Sequence, residues 1–371
     1  MPIREFADSS ATSVAFNRSN AADREEFNKT ADKTFQFVPF TEEAHSAGLE
    51  STESNAITAS RRPKDAKNVK GTANGGWTSE FGFVEFCRQM LEMGMQSGWE
   101  KLEDGVLFIT DDDKSQFLVT EQRIKNNGVL NYRRYFGQLV NEMTLTLGDG
   151  KLATLQITTN AANFENEMVP FTNDDTVGGL GTKYVQPAAY EPADGSNNVK
   201  GIHILTEEGE QVEMVFSQLS IQLSNNVRTS PAIGKVWTAG MAKGRVGVKV
   251  TGTVYYENDK LLELHMQNKK LRVVLEMETA EGTVAFILPR LSLSAPTGSS
   301  GGNNQDYTSS ITLQSSEAPV NVDGKDRLCV ISAVWVEKGK SWAKHVKTGS
   351  ASLDAQLAKA QGVTTASNGG G

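Results

Sequence analysis

The feature that most constrains this chain is a period-2 alternation of apolar and polar residues that recurs through much of its length. It is clearest in VNEMTLTL (140–147), LATLQITT (152–159), EMVFSQLSIQLS (213–224), VGVKVTGTVYY (246–256), LRVVLEME (271–278) and ITLQSS (311–316). Successive side chains of a strand point to opposite faces, so each run places an apolar face on a core and a polar face elsewhere. Turn signals bound the runs, among them NNG (126–128), GDG (148–150), EEG (207–209) and SGGNN (300–304). The body is therefore expected to be mainly β, with antiparallel sheets.

Two segments break the alternation. In FVEFCRQMLEMGM (83–95), Phe83, Phe86, Cys87, Met90 and Leu91 recur at helical spacing. In NDKLLELHMQN (258–268), Leu261, Leu262 and His265 do the same, with Asn258 and Asp259 placed as caps. Each half of the chain thus carries one short helix.

The order of elements repeats between the halves. The first half reads as a strand at ESNAI (53–57), a basic loop (61–70), a strand at WTSEF (77–81), the helix, QFLVTEQRI (116–124), YRRYFGQLVNEMTLTL (132–147) and LATLQITTNAANFE (152–165). The second reads as FSQLSIQLSNN (216–226), a long loop (228–244), VGVKVTGTVYY, the helix, LRVVLEMET (271–279), TVAFILPRLSLS (283–294) and DYTSSITLQSSEAP (306–319). Residue identity is slight, but the sequence of elements is the same. The expected division is an N-terminal arm (1–33), a first unit (34–165), a linker or insertion (166–212), a second unit (213–337) and a C-terminal arm (338–371) containing a short helix at LDAQLAKAQ. Both arms are expected to be polar extensions, ordered by contact with a partner.

A chain of 371 residues can bury two cores of ordinary size. The start MPIREFADSS has no apolar h-region, and no run approaches the roughly 18 to 20 apolar residues of a membrane span, so neither a signal peptide nor a membrane segment is expected. Cys87 and Cys329 are the only cysteines, far apart and outside any metal-ligand spacing, and are expected to be reduced thiols. The formal charge of −8 argues against a surface built to grip phosphates.

No pattern of catalysis, cofactor binding or metal ligation stands out. His45, His203, His265 and His345 sit in four unrelated contexts, and His265 reads as a boundary residue of the second helix. The acidic cluster DDDK (111–114) lacks the Gly and terminal Glu of a calcium loop and reads as a solvated turn. GDGK (148–151), GGLG (178–181) and GMAKG (240–244) fit neither a phosphate-binding nor a dinucleotide-binding loop. Two loops stand out for a different reason. The first carries Arg61, Arg62, Lys64, Lys67 and Lys70 without interleaved aromatics, which disfavours a single-strand nucleic-acid site and leaves either a solvated loop or one that meets an acidic face of a neighbouring subunit. The matching loop of the second half carries Trp237 and Met241, large apolar residues that call for burial against the same chain or a partner.

Taken together, SNAITASRRPKDAKNVKGTANGGWTSEF, YRRYFGQLVNEMTLTLGDGKLATLQITTNA, VFSQLSIQLSNNVR and GRVGVKVTGTVYYENDKLLELHMQNKKLRVVLEMETAEGTVAFILPRLSLS resemble the tail tube (major tail) proteins of long-tailed, non-contractile bacteriophages over about residues 50–335. The resemblance implies two tandem tail-tube-type β-sandwich units, each with a flanking helix. One sheet of each would join those of neighbouring subunits into a barrel around a channel. Rings would stack into a tube that carries the genome into the host, made in the host cytoplasm and resident in the virion tail.

Such a protein is structural and not an enzyme, and needs no cofactor. Its partners would be itself, the stacked rings, the tape measure protein, tail-end proteins and double-stranded DNA in transit, with no membrane. Two units in one chain suggest a homotrimeric, pseudo-sixfold ring, the alternative being a homohexamer. Acidic residues on the channel-facing side of the strands would keep DNA from adhering. Arg61, Arg62, Lys64, Lys67, Trp237 and Met241 are the candidate ring-stacking or subunit-contact residues. The rival readings are a carbohydrate-binding or hydrolytic β-sandwich of a baseplate or fibre, which would need grouped aromatics or a carboxylate pair, and a capsid decoration protein.

Overall fold

A computed structural model describes residues 12–30, 32–54, 66–126, 129–167, 183–300, 303 and 305–363. The first half contains β1 (Thr12–Asn17), α1 (Arg24–Lys29), β2 (Thr34–Phe37), β3 (Glu42–Glu43), β4 (Ser46–Glu53), β5 (Ala66–Glu80), α2 (Glu85–Met95), β6 (Glu100–Lys101), β7 (Leu107–Thr110), β8 (Leu118–Asn126), β9 (Val129–Gly148), β10 (Thr154–Asn160) and β11 (Asn163–Glu167). After β12 (Lys183–Val185), the second contains β13 (Val199–Thr206), β14 (Phe216–Ser224), β15 (Arg228–Ser230), β16 (Gly240–Ala242), β17 (Gly247–Tyr255), α3 (Lys260–Met266), β18 (Lys270–Glu278), β19 (Gly282–Leu293), β20 (Thr297–Ser300) and β21 (Tyr307–Ser315). It closes with β22 (Ala318–Val322), β23 (Lys325–Cys329), β24 (Ser332–Glu337), β25 (Val346–Lys347) and α4 (Ala351–Ala360). The protein is mainly β, as the alternation requires.

Strand partners make the repeat explicit. In the first half β3 and β4 pair with β5, β5 with β10, β10 with β9, β9 with β8, and β8 with β1. In the second half β14 pairs with β17, β17 with β21, β21 with β19 and β20, β19 with β18, and β18 with β13. The two pairing schemes correspond, with β19 and β20 together in the place of β9 and β14 in the place of β4. Even the bend is shared. β9 leaves the sheet it makes with β8 and joins β10 at Gly137, whose φ of 55° is a left-handed conformation that glycine adopts without strain. In β19 the matching irregularity falls at Pro289 and Arg290, where its pairing with β18 bulges between Val273↔Leu288 and Leu271↔Leu291 and its other edge exchanges β24 for β21.

The arms and linker are corrected by this arrangement. Residues 12–30 do not extend from the body: β1 lies between β2 and β8, with Val14, Ala15 and Phe16 buried, and α1 buries Phe27. Residues 199–212 are not a linker, since β13 occupies in the second half the place that β1 occupies in the first. Each repeat opens with a short strand that an insertion separates from the rest, so local pattern alone does not attach it. The expected strand at 53–57 stands at Ser46–Glu53 instead, and residues 55–57 lie outside the described set. Residues 338–363 fold back onto the sheet of β13, β18, β19 and β24. Trp342, Leu353 and Leu357 are buried there, and the Trp342 indole donates to the buried Glu276 carboxylate at 3.1 Å.

One apolar core runs through both halves, uniting Trp77, Met143, Leu155 and Ile157 with Val250, Leu275 and Phe286. Helix α2 enters it so closely that a β-carbon on Gly94 would lie 2.2 Å from Met143 Sδ. Helix α3 is shallower. Leu264 is its buried residue and Leu262 is exposed, so its inward face is turned from the expected one; Asp259 stands at the N-cap without a side-chain capping bond, while the side chain of Asn258, one residue earlier, accepts from the Lys260 N–H.

Candidate assembly surfaces

The strands that bear the strongest alternation form one continuous sheet across both halves, in the order β4, β5, β10, β9, β14, β17, β21, β20. The seam is β9 with β14, antiparallel over seven residue pairs from Gly148↔Gln218 to Glu142↔Ser224. It joins the last spine strand of one repeat to the first of the next. Leu145 and Ile221 meet at its centre, both buried on the core side.

The other face of this spine is polar. It carries Thr144, Thr146, Thr154, Thr158, Ser220, Gln222, Thr251, Thr253, Thr312 and Gln314, with charges at Glu80, Glu142 and Lys249, at the ion pair of Glu50 and Lys70 on β4 and β5, and at Glu42 on the adjoining β3. Gln222 and Ser224 donate to Glu142 across the seam at 3.2 and 3.3 Å. A face of this kind can pass water and a polyanion along it without offering a row of cations.

Both margins of the spine end in strands with a single partner among the described residues. At one margin β3 and β4 pair only with β5, and all of β4 is exposed. At the other β20 pairs only with β21 and is likewise exposed. Unpaired edges invite pairing with another chain.

Of the residues singled out in the sequence, Arg61, Arg62 and Lys64 lie outside the described set. Lys67 is exposed on β5 opposite Thr52. Trp237 and Met241 belong to the loop of β15 and β16, which reaches back onto the first repeat. There Trp237 packs with Phe164, ring centroids 6.0 Å apart, beside Ala73, Tyr135 and Ala161. The Gly71 N–H donates to the Val236 carbonyl at 2.8 Å, and Trp237 and Met241 line a cleft of about 540 Å³ beside Gly137 and Ala162. Trp237 is thus satisfied within the chain and brings the repeats together, while Lys67 lies on the separate extension of β4 and β5.

The charged constellations are structural. The Glu121 carboxylate, fully buried, accepts from Arg134 Nε at 2.9 Å, Arg123 Nε at 2.8 Å and the Tyr184 hydroxyl at 3.0 Å, and the Arg123 guanidinium lies 3.7 Å from the centre of the Tyr184 ring. This ties β12 to β8 and β9. Burial pushes the Tyr184 phenol far above its usual value. His345 hydrogen-bonds with Asp323 at 2.8 Å and Asp104 at 3.3 Å, linking the first half to the turn between β22 and β23. Burial holds the Cys87 thiol up at about 12, a poor nucleophile. Among the described residues no cluster of His, Cys, Asp and Glu is arranged to hold a metal ion, and no helix is long and apolar enough to cross a membrane.

The spine margins were the surfaces that sequence reading missed. The signal was present in β14: a strand as apolar on one face as its neighbours, at the start of a repeat, must find a partner on both sides. A family model described as phage tail tube protein matches residues 20–322. Comparison with curated proteins finds no match.

Proposed function

The chain belongs to the phage tail tube protein family, and from that premise we propose that three copies close a pseudo-sixfold ring whose spine sheets join into one barrel. It is a structural component of the virion tail. The observation that carries the ring is the β9–β14 seam, because it joins consecutive repeats through the edges that stand free at the two margins of the spine.

The repeat gives the register of closure. Ser46 and Gln222 hold the same place, since each pairs with the matching residue of the next strand, Asn74 or Lys249. Thr297 and Thr144 correspond likewise through Ser310 and Gln156. Gln222 faces Thr144 in the seam. Ser46 of one copy therefore faces Thr297 of the next, and pairing removes both edges from solvent.

The polar face of the barrel then lines the channel. Glu42, Glu50, Glu80 and Glu142 outweigh Lys70 and Lys249 there, so the lumen is acidic but sparsely charged, and hydroxyls and amides make up most of its surface. Such a wall suits passage of double-stranded DNA in a non-contractile tail of the siphophage type. The tape measure protein would occupy it before ejection, and tail-end proteins would cap it. Synthesis in the host cytoplasm follows from assembly with these partners. The extension of β4 and β5, which carries Lys67, projects from one rim, where a subunit of an adjoining ring would meet it; Arg61, Arg62 and Lys64, between these two strands in the sequence, are proposed contacts of the same ring.

Thiol cross-linking tests the closure. Cys87 and Cys329 are buried, so the double substitution Ser46→Cys and Thr297→Cys supplies the accessible thiols. Oxidised rods should run on a denaturing gel as dimer and trimer, with nothing larger. Rods that remain uncross-linked would rule out this register, and a ladder reaching six chains would rule out the trimer.

A further inference from the structure

The spine strands alternate in direction, so their ends define two rims, and the rims differ in charge. One rim holds the turn between β9 and β10, the residues before β14, those after β17 and those before β21. Asp149, Glu213, Glu257 and Asp306 are exposed there, and none makes an ion pair among the described residues. They surround an apolar patch in which Val215, Tyr255, Tyr256 and Tyr307 are all exposed, the last two packed edge to face with centroids 5.2 Å apart.

The opposite rim holds the extension of β4 and β5 and the hairpin of β15 and β16. Lys67, Arg228, Lys235 and Arg245 are exposed there, again without an ion pair among the described residues. Ile233, fully exposed, stands at the tip of the hairpin. Lys151 on the first rim, and Glu53 and Glu317 on the second, dilute the contrast without reversing it.

We infer that the two rims are the complementary halves of one interface between copies of this chain: the cationic hairpin rim of one ring seats on the carboxylate and tyrosine rim of the next, with Ile233 entering the tyrosine patch. The inference rests on the ring reading above and adds to it a direction of stacking and the groups that impose it. A surface that matches a different surface of the same molecule makes a heterologous contact, which propagates as a filament. Opposed rims of like charge repel, so the reverse stacking is disfavoured. Exposed ion pairs are screened by salt, whereas strand pairing within a ring is not, so salt should separate rings before it opens them.

Two charge-reversed proteins test this. The triple substitution Arg228→Glu, Lys235→Glu and Arg245→Glu makes both rims acidic; Asp149→Lys, Glu213→Lys and Glu257→Lys makes both basic. Electron microscopy of each alone should show rings, with rods shortened by about tenfold or more, the scale expected when several opposite-charge contacts become like-charge ones. Mixed one to one, the two proteins should rebuild rods of wild-type length, each ring alternating with the other kind. Wild-type rods should shorten as salt rises from about 0.05 M to about 0.5 M. Either triple variant alone leaving rod length unchanged, or a mixture that does not restore it, would overturn the inference while leaving the ring intact. A wild-type protein that makes no rings at all would remove the reading beneath it as well.

Discussion

A β-carbon on Gly71 would lie 2.4 Å from Cε3 of Trp237, so the indole of the second repeat occupies the space that glycine leaves on the first. The contact closes the long loop of β15 and β16 over the sheet of its neighbour, beside the hydrogen bond from the Gly71 N–H to the Val236 carbonyl. Gly71→Ala should force the indole out and cost about 1–3 kcal/mol, the usual range for overpacking. Denaturant titration would measure the loss, and a red-shifted tryptophan emission would report the displaced ring. An unchanged spectrum and midpoint would mean that the loop is not held there.

The bend of β9 depends on Gly137. Its left-handed φ is costly for a branched residue, and a β-carbon there would approach the Ala162 methyl to 3.0 Å. Gly137→Val should lower stability by about 1–3 kcal/mol. Because β9 carries the seam with β14, the same change should lower the yield of rods more than that of soluble protein, which sedimentation would show.

Glu121 is the counter-charge for two arginines in a dry site. Glu121→Gln keeps its shape and removes its charge, leaving the Arg134 and Arg123 guanidinium groups without that carboxylate. The expected cost is about 3–5 kcal/mol, as for other broken buried pairs. A loss below about 1 kcal/mol in the denaturation midpoint would show that the cluster is not what holds β12 to the first repeat.

Acidification should weaken the fold through His203. Burial lowers the affinity of its imidazole for a proton below the ordinary value of 6.5, against a smaller opposing pull from Glu276. As pH falls through about 6.5 the unfolded chain takes up the proton first, so stability declines from there down to the depressed folded pKa and no further on this account. Melting temperatures between pH 8 and pH 5 should fall more steeply for the wild type than for His203→Gln. Equal slopes would contradict the assignment.

Much of the fold was legible because strand alternation is a local property. The runs at 140–147, 152–159, 246–256 and 271–278 became β9, β10, β17 and β18, and 83–95 became α2, since each carries its face in its own sequence. Partnership is not local. Nothing in LFIT (107–110) says that β7 leaves the first repeat to pair with β24 of the second, Ser332 opposite Thr110. Nothing in TSVAFN says that it will lie beside β8, or that VKGIHILT will take the same place in the second repeat. The polar neighbours of Trp342 give no sign that it is buried, because its anchor, Glu276, lies sixty-six residues earlier. The assembly surfaces were legible only in part, because a free edge is defined by which neighbours a strand lacks.

The most direct test of the account is a reconstruction of the assembled tube by electron cryomicroscopy. It should show three chains per ring, a barrel in which β20 of each copy pairs with β3 and β4 of the next, and Thr297 opposite Ser46 at that junction. Six chains per ring, or a closure made by any other pair of strands, would contradict it.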